Sequence, residues 1–263
     1  MVESLKRTEP ALFLKLFSRR WLLTTLLVVA AVGVMARLGV WQLDRLEQRR
    51  AFNARVSAQI EAAPLELSAE ALDLDLSNME YRTVTVKGQY DHSQQVALRN
   101  QARDQRWGVN LLTPLRIEGS DRAVLVDRGW IPAEDFTAGE WGKYDEPGQV
   151  TVVGLVRRSQ DRPDFGRRSD PTPAPGEFIN AWNLANVASI DRQVSYDLLP
   201  VYIQQAPEPS WTGMPLRGQP KLELTEGSHM GYAIQWFAFA ALLGLGYPFF
   251  VRKQENDRRT SGL

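Results

Sequence analysis

Residues 230–251 run for 22 positions without a charged side chain. An α-helix rises about 1.5 Å per residue, so about 20 such residues reach across the roughly 30 Å hydrocarbon core of a bilayer. A buried helix of a soluble domain seldom needs so long an uncharged run, and the expectation is a transmembrane helix. A second apolar run, residues 21–36, covers 16 positions before Arg37 interrupts it. The pattern resumes through Leu38, Val40, Trp41 and Leu43. An arginine near a helix end extends its guanidinium to the headgroups while its stem stays among the acyl chains. Trp21 and Trp41 bracket this run as an interfacial aromatic belt does.

A secretory signal competes for the first run, because Val34-Met35-Ala36 is a passable cleavage site after a basic leader. The run is longer than the roughly 7–15 apolar residues of a signal core, and the leader is long, so the residues favour an anchor. Arg252, Lys253, Arg258 and Arg259 follow the second run, while only Arg217 and Lys221 lie shortly before it. Basic residues collect on the cytoplasmic side. Lys15, Arg19 and Arg20 on one flank of the first run are balanced by Arg45, Arg49 and Arg50 on the other. The second run therefore sets the expected orientation: both termini cytoplasmic, or in the matrix of a mitochondrion. The expected segments are a tail over 1–20, a span over 21–43, an extracytoplasmic domain over 44–228, a span over 229–251 and a tail over 252–263.

Between the runs the hydrophobic period changes. Leu43, Leu46 and Phe52 keep helical spacing, which predicts that the first helix continues beyond the bilayer and ends before Pro64. From Tyr81 the period is two and β-branched residues are frequent. Strands are predicted over 81–90, 95–99, 108–115, 123–130, 150–157, 177–182 and 201–205. Turn clusters such as Glu118-Gly119-Ser120-Asp121 separate them. Short strands so spaced predict an antiparallel sheet curling into a barrel or sandwich, an α+β membrane protein overall. Two helices are predicted within the domain, 133–141 opened by Pro132 and 184–190 capped by Asn183. Residues 161–176, rich in Pro, Arg and Asp, read as a loop.

Lys and Arg total 31, as do Asp and Glu, so no excess of positive charge points to nucleic acid. The chain has no cysteine, which removes disulfides, thiolate metal sites, iron–sulfur clusters and covalent haem attachment. Hydrolase, dinucleotide and P-loop motifs are absent, and two histidines far apart leave no room for a triad or three-histidine centre. A non-enzymatic role is expected.

His92 sits in a Tyr-Asp-His-Ser turn, the ordinary place for a structural or solvated imidazole. His229 opens the second span, and Tyr232 and Trp236 follow on its face at three and seven positions. Such a histidine at a membrane surface either ligates haem iron or belongs to an interfacial belt, and spacing alone favours the belt. Arg128, before Gly129 and Trp130, is either a core corner or a contact for a cofactor propionate or partner. Gln42 and Arg45, at the end of the first span, face either a ligand or the headgroups.

Several segments together resemble one family. Leu38-Gly39-Val40-Trp41-Gln42-Leu43-Asp44-Arg45 is similar to the Gly-x-Trp-Gln-x-x-Arg signature of the Surfeit locus protein 1 family. Tyr81-Arg82 with Gly88, Gly108 with Thr113-Pro114-Leu115, and Val124-Leu125-Val126-Asp127-Arg128-Gly129-Trp130-Ile131-Pro132 resemble its central motifs. His229-Met230-Gly231-Tyr232-Ala233-Ile234-Gln235-Trp236 resembles its second-span signature. The resemblance departs at Gln48-Arg49, where the family often has Trp-Lys, at Gly227-Ser228, usually Asn-Asn, and at Gln235, often Thr.

The resemblance implies that both spans are retained. It further implies an assembly factor for cytochrome c oxidase that delivers or stabilises haem a for the catalytic, haem-bearing subunit, with the haem a synthesis machinery as another partner. It places the haem ligand on His229, reversing the reading from spacing. Around it stand Tyr232, Trp236, Trp41, Gln42 and Arg45, with Arg45 or Arg128 to neutralise a propionate. The alternative is a scaffold that holds oxidase subunits together without touching haem.

Overall fold

The computed structural model describes residues 15–163, 170, 177–220 and 222–261, and divides into two compact units. One joins residues 1–54 to residues 224–263, and the other comprises residues 55–223. Most of the loop predicted over 161–176, and Lys221, lie outside the described residues.

The first unit is a pair of helices. Helix α1, Leu22–Glu61, has 40 residues, and its last turns belong to the second unit. At about 1.5 Å per residue that is twice a bilayer core, so the helix carries a polar extension as its period predicted, and it stops before Pro64. The last helix of the chain, His229–Ser261, packs antiparallel to it: Trp21 Nε1 donates to Glu255 Oε1 at 3.1 Å, and Gly39 lies against Phe237. Both helices are long and apolar enough to cross a membrane. Leu23, Leu27, Val29, Leu242, Leu245 and Phe249 point outward, fully in keeping with a lipid environment.

The second unit is a β-barrel with attached strands. The strands are β1 (Leu65–Glu66), β2 (Thr83–Tyr90), β3 (Val96–Arg103), β4 (Arg106–Ile117), β5 (Ala123–Pro132), β6 (Gln149–Arg158), β7 (Ala181–Trp182) and β8 (Leu198–Gln205). Their order is β1-β2-β6-β8-β5-β4-β3-β7, and β2 also pairs with β4. That extra pairing, Gly88 to Ile117 through Tyr90 to Leu115, closes β2, β6, β8, β5 and β4 into a ring. A Cβ at Gly88 would lie 2.2 Å from the Arg116 carbonyl oxygen, so the closure depends on a residue without a side chain.

The interior is filled by Val84, Val86, Leu115, Ile117, Val124, Val126, Val152, Val156, Val201 and Ile203, the alternating apolar positions of all five ring strands. All ten residues of β5 are buried, because its outer face is covered too. Trp182 and the short helix Val187–Asp191 pack there with Leu112 and Leu125. Phe136, Trp141 and Tyr144 cover Val109, Leu111 and Ile131.

The structure corrects the prediction in four respects. The sheet is mixed, since β1–β2, β3–β7 and β5–β8 pair in parallel. The strand predicted over 177–182 is only Ala181–Trp182, and the helix predicted from 184 begins at Val187 under an Asn186 cap whose side chain accepts from Ser189 N–H. Asn183 does not cap it: its Oδ1 accepts from Asn100 Nδ2 at 3.2 Å, while its N–H and that of Leu184 donate to the Asp170 carboxylate. The helix predicted over 133–141 is two pieces, Ala133–Thr137 and a tight turn Glu140–Tyr144, broken at Gly139 with φ 74°.

Candidate functional site

His229 stands at the first turn of the last helix, half-buried. Its Nδ1 lies 2.8 Å from Gln42 Oε1 on α1. The amide oxygen accepts only, so in this arrangement a neutral imidazole carries its proton on Nδ1 and its lone pair on Nε2. This is how a ligating imidazole is oriented: one nitrogen donates to a fixed acceptor and the other faces the metal. Beside Nε2 stands Gly227, where a Cβ would sit 3.8 Å from that nitrogen and 3.6 Å from Cδ2. The glycine leaves that flank of the ring open.

The packing of the two helices puts Gln42 there. Gly39, one turn before it, accepts the Phe237 ring; a Cβ would meet that ring at 2.8 Å. Ala233 and Ala240 are buried on the same seam, and Gly244 faces Val32. At the opposite end Tyr247 donates to Thr25 Oγ1 at 2.8 Å, and Thr25 donates onward to the Leu16 carbonyl at 2.7 Å.

A second set of contacts fixes the approach to His229, and no local pattern announces it. Arg50 donates to both carboxylate oxygens of Glu226 at 2.7 and 2.9 Å, and its hydrogen bond holds that carboxyl below the usual range. Arg49 Nε donates to the Thr225 carbonyl at 3.0 Å and Asn53 to that of Leu224 at 2.9 Å. These residues are 171–176 positions apart in sequence, so no local spacing announces them.

The other expected residues are distributed unevenly. Trp41 is exposed, with the Arg45 guanidinium 5.9 Å from its ring centroid; Arg45 also donates to Gln48 Oε1 at 2.9 Å. Tyr232 is exposed and closes the first turn by a backbone bond to Ser228. Trp236 makes an edge contact with Phe239.

Arg128 lies in the barrel unit, with no exposed surface. It donates to Gln95 Oε1 at 2.8 Å, to Glu146 Oε1 at 3.0 Å and to the Tyr144 carbonyl, over the face of Tyr90. Glu146 also receives Arg217, itself paired with Glu208 and stacked 3.9 Å from the Trp211 ring centroid. His92 belongs to this corner, its Nε2 accepting from Glu146 N–H at 3.2 Å.

Among the described residues, no group of three or more His, Asp or Glu is placed to hold a bare metal ion. A sequence model described as the SURF1 family matches residues 29–241. The chain is 26% identical to Surfeit locus protein 1 of Mus musculus over 82% of its own length and 72% of that protein. It is 25% identical to Surfeit locus protein 1 of Homo sapiens, over 89% and 78%. To a SURF1-like protein of Monosiga brevicollis it is 27% identical, over 86% and 85%.

Proposed function

Because the chain belongs to the SURF1 family, we propose that it is a membrane-anchored assembly factor for cytochrome c oxidase that holds haem a as cargo at His229. The observation that carries this reading is the His229–Gln42 hydrogen bond, which supports a free Nε2 at the end of a pair of apolar helices. Both helices cross the bilayer, with the barrel on the extracytoplasmic side and both termini on the cytoplasmic or matrix side. The charges after residue 251 favour that orientation.

His229 would hold the iron through Nε2, and Gln42 would keep the ring in the tautomer that can ligate. Tyr232 and Trp41, exposed, and Trp236, half-buried, offer aromatic surface for a macrocycle. Arg45, exposed beside Trp41, is the cation available to a propionate. Arg128 is not used, because its guanidinium is held by Glu146, Gln95 and Tyr144. Bound haem supplies redox-active iron to the oxidase; this chain's part is to hold it and release it to the catalytic subunit, after receipt from the haem a synthesis machinery. One histidine suits release, since a pair of histidines would retain the cargo more tightly. No catalytic step is assigned.

The test is an absorption spectrum of the protein, purified in native lipid from cells that make haem a, beside His229→Ala. A haem a band in the wild type that disappears in the variant supports the reading. A wild type without haem, or a variant with an unchanged band, sinks it; the scaffold reading then stands if oxidase subunits still co-purify.

A further inference from the structure

The parallel pairing of β5 with β8 ends at Asp127 and Gln204, yet β5 continues to Pro132. Beyond that point its open side is met by Leu216, which exchanges both backbone hydrogen bonds with Trp130. Where β8 and the Leu216 segment part, a cleft of about 520 Å³ opens within the barrel unit, lined by Asp127, Asn110, Trp130, Gln204, Ala102 and Arg103 among others. This is the size of a small-ligand site.

Asp127 is its buried charge. The carboxylate accepts from Asn110 Nδ2 at 2.9 Å and from Gly129 N–H at 3.1 Å, both neutral donors. A carboxylate offers about four acceptor positions, so about two remain. The nearby arginines are committed elsewhere. Arg157 donates to Gln204 Oε1 at 3.0 Å and lies over Tyr81, and Arg103 donates to the Leu216 carbonyl at 3.2 Å.

Two features of the backbone aim this side chain. Leu111 pairs with Gly129 and Leu112 with Asp127, so Arg128 is an extra residue in β5. Bulges of this kind redirect side chains and collect beside binding sites. Arg128 turns into the Glu146 corner, and Asp127 is left lining the cleft. Gly129 holds φ 121°, and a Cβ there would lie 2.6 Å from the Leu216 oxygen. Arg157 acts on the carboxylate only through space, and a buried carboxylate with no hydrogen-bonded cation opposes folding. Its placement on a bulge at the wall of an open polar cleft gives it a use.

We propose that this cleft binds an alkylammonium or guanidinium group, with Asp127 as its counter-ion. Asn110 and Gln204 supply neighbouring amides, and the Trp130 indole supplies an aromatic surface favourable to a cation. The site is independent of haem and of His229.

The test uses the full chain in lipid nanodiscs and titration calorimetry with three probes: agmatine, Nα-acetylarginine methylamide, and neutral butylurea. Both cations should bind saturably and at least about tenfold tighter than butylurea. Tighter binding of agmatine identifies a small free amine as the occupant, and tighter binding of the blocked arginine identifies a side chain of a partner protein. Asp127→Asn should weaken cation binding by about tenfold or more. Ala102→Trp, at an exposed position on the cleft wall, should do the same while leaving Asp127 in place. Cations that fail to saturate, that bind no tighter than butylurea, or that bind both variants as they bind the wild type overturn the proposal.

Discussion

At the scale of one residue, Gln42 decides which nitrogen of His229 is free. Replacing it by Leu keeps the apolar volume and removes the acceptor, so the imidazole loses its fixed tautomer. Supporting groups of this kind are worth roughly 10- to 100-fold in metal affinity. Gln42→Leu should therefore lower haem retention by about tenfold or more, read from the haem to protein ratio, while Gln42→Glu restores it. The Gln42 position was legible in sequence because a recognisable motif contains it; its hydrogen bond to His229 was not, because 187 positions separate the two. Asp127 sits in such a motif too, yet nothing in the spacing told that its side chain would be buried. Burial pushes its carboxyl up from 3.8 to about 6. The folded protein therefore holds that proton more tightly than the unfolded chain does. The stability this group allows is fully present below about pH 4, falls as pH rises through about 6, and is level above that. Asp127→Asn should be the more stable protein at neutral pH by about 2–3 kcal/mol, with the advantage growing between pH 4 and 6 in denaturant titrations. A flat difference across that range would refute the burial of an unpaired charge.

At the scale of elements, the two helices were legible because length and hydropathy alone identify them, and the ring strands because β-rich apolar runs are set off by turn clusters, with period-two alternation where only one face is buried. What failed was local punctuation. The cap expected at Asn183 fails because its side-chain oxygen accepts from Asn100, 83 positions away, and the helix starts three residues later under Asn186. The parallel pairing of β5 and β8 could not be read, because alternation reports which face is buried and is silent on which strand lies beside which. The helix seam was equally hidden: Gly39, Ala233, Ala240 and Gly244 are small residues in an apolar run and become a seam only when paired. That pairing has a direct test, helped by the absence of natural cysteines. A Cβ at Gly244 lies 3.7 Å from Val32 Cγ2, so V32C and G244C together should cross-link under mild oxidation. Adding Gly39→Val forces the Phe237 ring from its place against α1 and should cut the cross-linking yield; overpacking of this kind typically costs about 1–3 kcal/mol. Efficient cross-linking in the triple variant would mean that Gly39 does not set the contact.

At the scale of the molecule, the barrel unit carries the requirements of an independent fold. Its sheet closes on itself, so the ring strands expose no edge, and its cores draw on all five of them and on the covering helices. Residues 55–223 expressed alone should therefore be soluble and should unfold in one cooperative transition. The Glu146 corner is the contact on which that cooperativity most depends. One carboxylate contacts both Arg128 from β5, fully buried, and Arg217 from the segment after β8, of which 2% is exposed and which Glu208 also pairs. The main chain at Tyr144 and the imidazole of His92 are tied to the same point. Four stretches far apart in sequence thus meet at a charge pair whose members were taken out of water together. Removing one partner of such a group leaves the others buried and uncompensated, which typically costs about 3–5 kcal/mol. Small domains hold about 5–15 kcal/mol in all. Glu146→Gln should therefore lower the midpoint of denaturant unfolding sharply in the isolated unit, with the slope unchanged if the transition stays cooperative. A conservative Glu146→Asp, which keeps the charge and shortens the reach, should fall between the two. If Glu146→Gln instead unfolds at the wild-type midpoint, the remaining partners, Gln95 and the Tyr144 carbonyl for Arg128 and Glu208 for Arg217, suffice for the two arginines, and the corner does not set the cooperativity.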